Sequence, residues 1–377
     1  MNKFWAKIKD VSAIGAADII SAGLSGIFWF YMASLIGPTG YGEITFFLTI
    51  AGLASGISLF GFSNSLMVLG SKGIKIQSTL YFIAIVGGTI SSIVLFVIFY
   101  QLGVSLLVLG MLVFGLVTYD VLGKKLFKNY TKIVLSQKIL LISLCLIFYY
   151  LIGNEGIILG MALANFPYVY SIISTFKSQK LNFSLLKEHS SFLRNNFFLT
   201  LTGTLSFSLD KIIIGPLFGF AILGNYALGM QFLILLLILP KAVGKYIVPH
   251  DAAGNQNKKS KKVIFLFSFL LTGFGTIICP IIISNFFVEF TEAVTVIQII
   301  SFMSISSAIN IIYNSKFLGI EKSNIVFRGT VIALSIQIIG IIVLGNLFQI
   351  NGIALSAVIG SFATSIFYFI TVRLNKF

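Results

Sequence analysis

The sequence predicts an all-α integral membrane protein: about twelve transmembrane helices, in two parallel-repeat six-helix bundles around a central cavity. Three observations predict it: extreme apolarity, a strict alternation of basic gaps, and an internal repeat. Mean hydropathy is +1.02 and 57% of the 377 residues are hydrophobic, which excludes an ordinary soluble protein. Of the 26 Lys and Arg residues, all but Lys138 and Lys211 fall in every second gap between apolar runs. The intervening gaps carry Glu43, Glu155, Glu289 and Glu292 or no charge. Short basic loops stay cytoplasmic, so both termini are expected in the cytoplasm and the chain in the cell (cytoplasmic, inner) membrane.

The expected spans are 11–36, 44–69, 77–100, 103–123, 132–153, 155–176, 196–217, 223–248, 263–285, 291–318, 325–347 and 350–373. The run after Lys3, Lys7 and Lys9 is too long for a secretory signal and reads as a retained first helix. Cys145 and Cys279 fall inside spans five and nine, with no spacing for a metal or disulfide framework. The net charge of +15 is dispersed over the basic loops, where it sets topology and attracts anionic lipid heads. No nucleic-acid partner is expected.

The longest connection carries Leu181, Leu185, Leu186, Phe192 and Leu193 among Lys187, Glu188 and Arg194. It reads as an amphipathic cytoplasmic linker, 177–195, between an N-terminal bundle, 1–176, and a C-terminal bundle, 196–377. The halves share local patterns. Ile36-Gly37-Pro38 ends span one and Ile214-Gly215-Pro216 ends span seven. Asn154-Glu155-Gly156-Ile157 opens span six and Ile350-Asn351-Gly352-Ile353 opens span twelve. Six spans per half keep both halves in one orientation, the pattern of parallel repeats that work by alternating access.

Several of these residues resemble motifs of the polysaccharide repeat-unit (O-antigen type) flippases. That family lies within the multidrug/oligosaccharidyl-lipid/polysaccharide exporter superfamily. The similar stretches are Leu35-Ile36-Gly37-Pro38-Thr39-Gly40-Tyr41-Gly42, Asp210-Lys211-Ile212-Ile213-Ile214-Gly215, Gly224-Asn225-Tyr226 with Pro240 and Pro249, and Gly319-Ile320-Glu321-Lys322. The likeness covers essentially the whole chain. It departs in lacking a proline near Asn195-Asn196-Phe197-Phe198 and an arginine after Asn64.

Ionisable residues within spans need a reason. Asp18 in span one is either an H+ or Na+ coupling site or a packing carboxyl. Lys211 either contacts a substrate phosphate or sugar with Asp210 positioning it, or snorkels to the interface. Lys241 after Pro240 either draws a pyrophosphate to a kinked gate or marks a helix end. Lys138 reads as a snorkelling side chain near a cytoplasmic end. Asn64, Asn310 and Asn314 either line a glycan path or join helices, as does Gln231. Pro240, Gly37 and Gly215 are candidate hinges.

No G-x-x-x-x-G-K-[ST] or H-E-x-x-H occurs, the histidines are His189 and His250, and the external loops are short. No enzyme, cofactor or metal site is therefore expected. The resemblance implies a secondary transporter that flips a polyprenyl-(pyro)phosphate-linked oligosaccharide for cell-surface polysaccharide biosynthesis. Its partners would be that lipid-linked oligosaccharide, membrane lipids, a coupling ion and other glycan-assembly membrane proteins. The alternative is a multidrug/cation antiporter of the same superfamily.

Overall fold

The computed structural model describes the backbone of residues 2–241, 243, 258–320 and 322–375, and their side chains except at 2–19, 199, 207, 258, 260 and 375. Pro249, Glu321 and the side chain of Asp18 lie outside the described residues. Every regular element among the described residues is helical. In order they are α1 (Asn2–Ser58), α2 (Phe62–Ser71), α3 (Gln77–Phe99), α4 (Leu102–Gly123), α5 (Phe127–Ile152), α6 (Asn154–Leu163), α7 (Val169–Ser178), α8 (Phe183–Glu188), α9 (Ser190–Phe218), α10 (Phe220–Leu236), α11 (Lys258–Gly273), α12 (Cys279–Phe286), α13 (Thr291–Ile300), α14 (Met303–Gly319) and α15 (Ser323–Asn375).

Eight helices among the described residues are long and apolar enough to cross a membrane, or nine with Ser190–Phe218. Two are double length. Ser323–Leu374 has 52 residues. Straight, that would reach about 78 Å, against ~30 Å of hydrocarbon. Its backbone breaks at Gln349 (φ 50°, ψ −131°), and the two arms fold back on each other. Thr364 Oγ1 donates to Gly329 O at 3.1 Å and Tyr368 OH to Val326 O at 3.2 Å. Gly340 lies against Ser356 and Gly360 against Ala333 O. These pairs centre on residue ~348, so the arms form an antiparallel hairpin whose glycines permit close approach.

Ile20–Ser58 breaks likewise at Gly37 (φ 67°, ψ 179°), a conformation that favours glycine, and Pro38 follows without an N–H to give. Counting such breaks, the described residues hold about eight to twelve apolar helices. It is a multi-pass membrane protein.

The chain divides into two compact units, Met1–Trp29 with Phe46–Ser208, and Phe30–Thr45 with Leu209–Phe377. The short segment around the Gly37 break thus groups with the second half of the sequence.

The first unit is built around α4, 56% buried over its most apolar stretch, against 22% for α3 and α5. Leu66, Leu80, Tyr81, Leu112 and Leu116 are fully buried at its core. α3 instead turns Phe82, Val86, Ile90, Ile93 and Val97 outward, a helical stripe suited to lipid. Between α5 and α6, Gly156 meets Phe148 O and Gly160 meets the backbone of Cys145. Cys145 is buried and its Sγ lies 3.4 Å from Ile157 O, a packing role.

Two expected spans are interrupted for covalent reasons. Span six divides into α6, a 3₁₀ turn Phe166–Tyr168 and α7, because Pro167 cannot donate in the helical ladder. Span nine passes through a π turn, Phe274–Ile278, ahead of Pro280. The linker is also divided. Asn182 Oδ1 caps α8 by accepting from Ser184 N at 3.1 Å, and α9 already starts at Ser190. Leu185, Leu186 and Phe192 pack against the first unit's core.

Candidate transport site

The densest charged arrangement in the second unit surrounds Asp210. Neighbouring residues on a helix point about 100° apart, which sets adjacent side chains poorly for pairing. Asp210 and Lys211 pair nonetheless. Lys211 Nζ curls back to 3.3 Å from Asp210 Oδ1, and the same oxygen accepts the backbone N–H of Lys211 at 2.8 Å. Asp210 Oδ2 accepts the hydroxyl of Tyr226, on α10, at 3.0 Å. The side chain of Gln337, on α15, lies near the same hydroxyl. Asp210 is 7% exposed and the Lys211 side chain 20%. Ammonium, backbone amide and phenol all donate to this buried carboxyl group, which leaves its oxygens satisfied. Tyr226 and Gln337 were absent from the sequence-derived site. The available signal was the buried acid itself, which requires donors from adjacent spans.

Tyr226 is held by the start of α10. A Cβ on Gly224 would overlap Pro38 O, and one on Gly42 would overlap Phe220 O. The Gly-Pro motif after span one and the Gly-Asn-Tyr motif of span eight therefore meet within the second unit. Asn225 joins them to α13: its Oδ1 accepts Ala293 N at 3.0 Å, capping that helix.

The other candidates are dispersed. α10 ends at Leu236 because Pro240 has no N–H for the Leu236 carbonyl; helical backbone resumes over 238–241. Pro240 is buried and Lys241 is exposed. Asn310 is engaged between helices, its Nδ2 donating to Ser361 O at 3.3 Å and its Oδ1 accepting Ser365 Oγ at 2.9 Å. Asn314 leaves its buried Oδ1 without a partner. Gly37 lies under the carboxylate of Glu289. Gly215 is helical, and the second half's positive-φ break falls at Gly219 (φ 96°) instead. In the first unit, Asn64 is half-buried in α2, just past the break at Phe60 and Gly61. Asp18 lies in helical backbone.

The sequence reading also passed over Asp120, near the end of α4. It is 2% exposed and its Oδ2 lies 2.6 Å from Lys124 Nζ, one turn on. Among the described residues, then, both buried aspartates are paired with a lysine on their own helix. A groove of about 220 Å³ lies in the second unit beside Ala33, Ser34 and Phe286–Phe290.

No family model matches the chain, and no curated protein matches it. Solved structures do. The lipid II flippase MurJ in an inward closed conformation superposes with a TM-score of 0.74 at 15% identity, over 96% of this chain and 87% of that one. The chain has the fold of the MOP-superfamily transporters. An inward-facing multidrug resistance MATE family transporter of that superfamily gives 0.69 at 14% identity, covering 94% of each chain. A MOP-superfamily transporter from Pyrococcus furiosus, described as having a binding pocket of reverse polarity, gives 0.64 at 15% identity over 97% and 93%. These neighbours are transporters, not enzymes, and the MOP fold underlies both a flippase and drug exporters.

Proposed function

We propose that the protein is a secondary transporter of the O-antigen flippase type, carrying a polyprenyl-(pyro)phosphate-linked oligosaccharide across the cytoplasmic membrane by alternating access. The observation that carries this reading is the state of the buried carboxylates. Asp120 and Asp210 are each neutralised by a lysine, whereas Lys138 has no acidic partner among the described residues. Among Asp120, Asp210, Lys138 and Lys211, the ionisable side chains set inside these helices, the one left without an acidic or basic partner is thus a cation, which suits an anionic cargo and opposes a cationic drug.

Drawing a phosphate and several sugars through bare hydrocarbon is prohibitive, and a polar path substitutes for water. An inside-negative potential favours outward movement of negative charge by about 2.3 kcal/mol per charge per 100 mV. In this reading Lys211, Asp210, Lys241, Asn64, Asn310 and Asn314 contribute to the path. Asp18 couples H+ or Na+, and Pro240, Gly37 and Gly215, one turn before the break at Gly219, lie at hinges. Lys211 reaches cargo only by exchanging its bond to Asp210 for one to phosphate.

The alternative is cation–drug antiport. Reconstituted vesicles decide between them. A fluorescent polyprenyl diphosphate disaccharide placed in one leaflet should become accessible on the other only when the protein is present. Gradient-driven uptake of ethidium without any crossing of the lipid-linked sugar would replace this reading with antiport.

A further inference from the structure

The first unit contains a cleft that the sequence did not reveal. It has a volume of about 400 Å³ and lies between residues 114–122 of α4 and 130–138 of α5, closed on one side by Ser21 of α1. These are the halves of α4 and α5 next to the basic turn at Lys124 and Lys125. Its lining combines three aromatic rings, Phe114, Tyr119 and Tyr130, with Gln137 and Lys138.

Two features distinguish it from a packing defect. Lys138 lines this cleft and is partly buried, with no ion pair or hydrogen bond among the described residues. Gln137 is 4% exposed. Its Nε2 donates to Asn165 Oδ1 at 3.0 Å, which fixes the amide, and its Oε1 has no partner. A buried acceptor held in place and left unfilled calls for a donor. An ammonium without a counter-ion calls for an anion.

We infer that this cleft is a headgroup subsite, in which Lys138 binds a phosphate and Gln137 with the aromatic rings binds the adjoining sugar of a lipid-linked glycan. Sugar hydroxyls supply the donor that Gln137 Oε1 lacks. The apolar faces of a pyranose lie against Phe114, Tyr119 and Tyr130, which are amphipathic or apolar surfaces of the right kind. Lys138 binds phosphate as a point charge on a flexible stem, which tolerates variation in the sugar attached. The inference rests on the flippase reading but assigns a place and a residue that reading does not contain.

The test uses the full chain in nanodiscs and a polyprenyl diphosphate disaccharide with a diazirine on the first sugar. Cross-links are mapped by mass spectrometry, and affinity is measured for the native chain, Lys138→Met and Lys138→Arg. The expected result is cross-linking to peptides spanning 114–122 and 130–138. Affinity falls roughly 10- to 100-fold in Lys138→Met, the scale of one hydrogen bond to a charged group, and recovers in Lys138→Arg.

Native-chain cross-links confined to other segments, in protein that moves the same lipid across vesicles, overturn the subsite and leave the flippase reading standing. Cross-links in the cleft with unchanged affinity in Lys138→Met overturn the role of Lys138. Equal competition by phosphatidylglycerol or by inorganic phosphate overturns the glycan assignment, the first in favour of a bulk-lipid site and the second of a bare anion site. If Lys138→Met does not fold, as its melting curve would show, the native cross-link map alone decides. Neither crossing nor cleft cross-linking in the native chain overturns both.

Discussion

Lys138 and Lys211 both lie within apolar helices, and their surroundings are opposite. Lys211 lies beside a carboxylate that also holds Tyr226 and its own backbone amide. Lys138 lies along a cleft that Gln137 also lines, and the Gln137 amide oxygen has nothing to accept. The residue type is the same, but the chemistry available is not. A paired ammonium contributes structure first and reaches a ligand only by giving up its partner. An unpaired one keeps its full attraction for an anion.

The contrast can be broken by removing the partner. Asp210→Asn removes the carboxylate that faces Lys211 Nζ in a little-exposed setting, and should destabilise the protein by about 3 kcal/mol. Thermal unfolding in detergent would show it. Adding Lys211→Met to that variant should restore much of the loss, because the charge left behind is removed as well. If the double variant is no more stable than the single, the pair is not the unit described. Tyr226→Phe removes one donor to Asp210 and should cost about 1–2 kcal/mol. Lys138→Met should change stability by less than ~1 kcal/mol in either direction, since no bond is lost. A large loss there would mean that Lys138 is structurally engaged. The smallest expected difference lies between two asparagines on α14. Asn310→Ala should cost on the order of 0.6 kcal/mol, typical of an interhelical hydrogen bond in a membrane, and Asn314→Ala less, because its oxygen is unpartnered.

The spans were legible because hydrophobicity and loop charge are additive along the chain, and the breaks at Gly37 and Gln349 fall where the apolar runs were divided. What could not be read was pairing in space. Asp210 meets Tyr226 because α10 folds back beside α9, and no local pattern encodes that. The segment Phe30–Thr45 groups with residues far ahead of it in sequence through glycine contacts at Gly42 and Gly224. Each of those glycines looks like any helix-end glycine until the opposing carbonyl is placed. Lys138 shows the same limit: its closeness to a cytoplasmic end suggests snorkelling, and only the packing of α4 against α5 reveals the cleft beside it. Asp120 escaped notice because Lys124, one turn on, counted as a loop charge.

The most direct test of the account is the rate at which a polyprenyl diphosphate disaccharide crosses the membrane of reconstituted vesicles, with the native chain, Lys138→Met and Lys211→Met measured side by side at equal folded protein. The account predicts protein-dependent crossing in the native chain, with the larger loss in Lys138→Met and the smaller in Lys211→Met. Equal native rates in Lys138→Met and a selective loss in Lys211→Met would contradict it, placing the anion site at the lysine that the structure shows already paired.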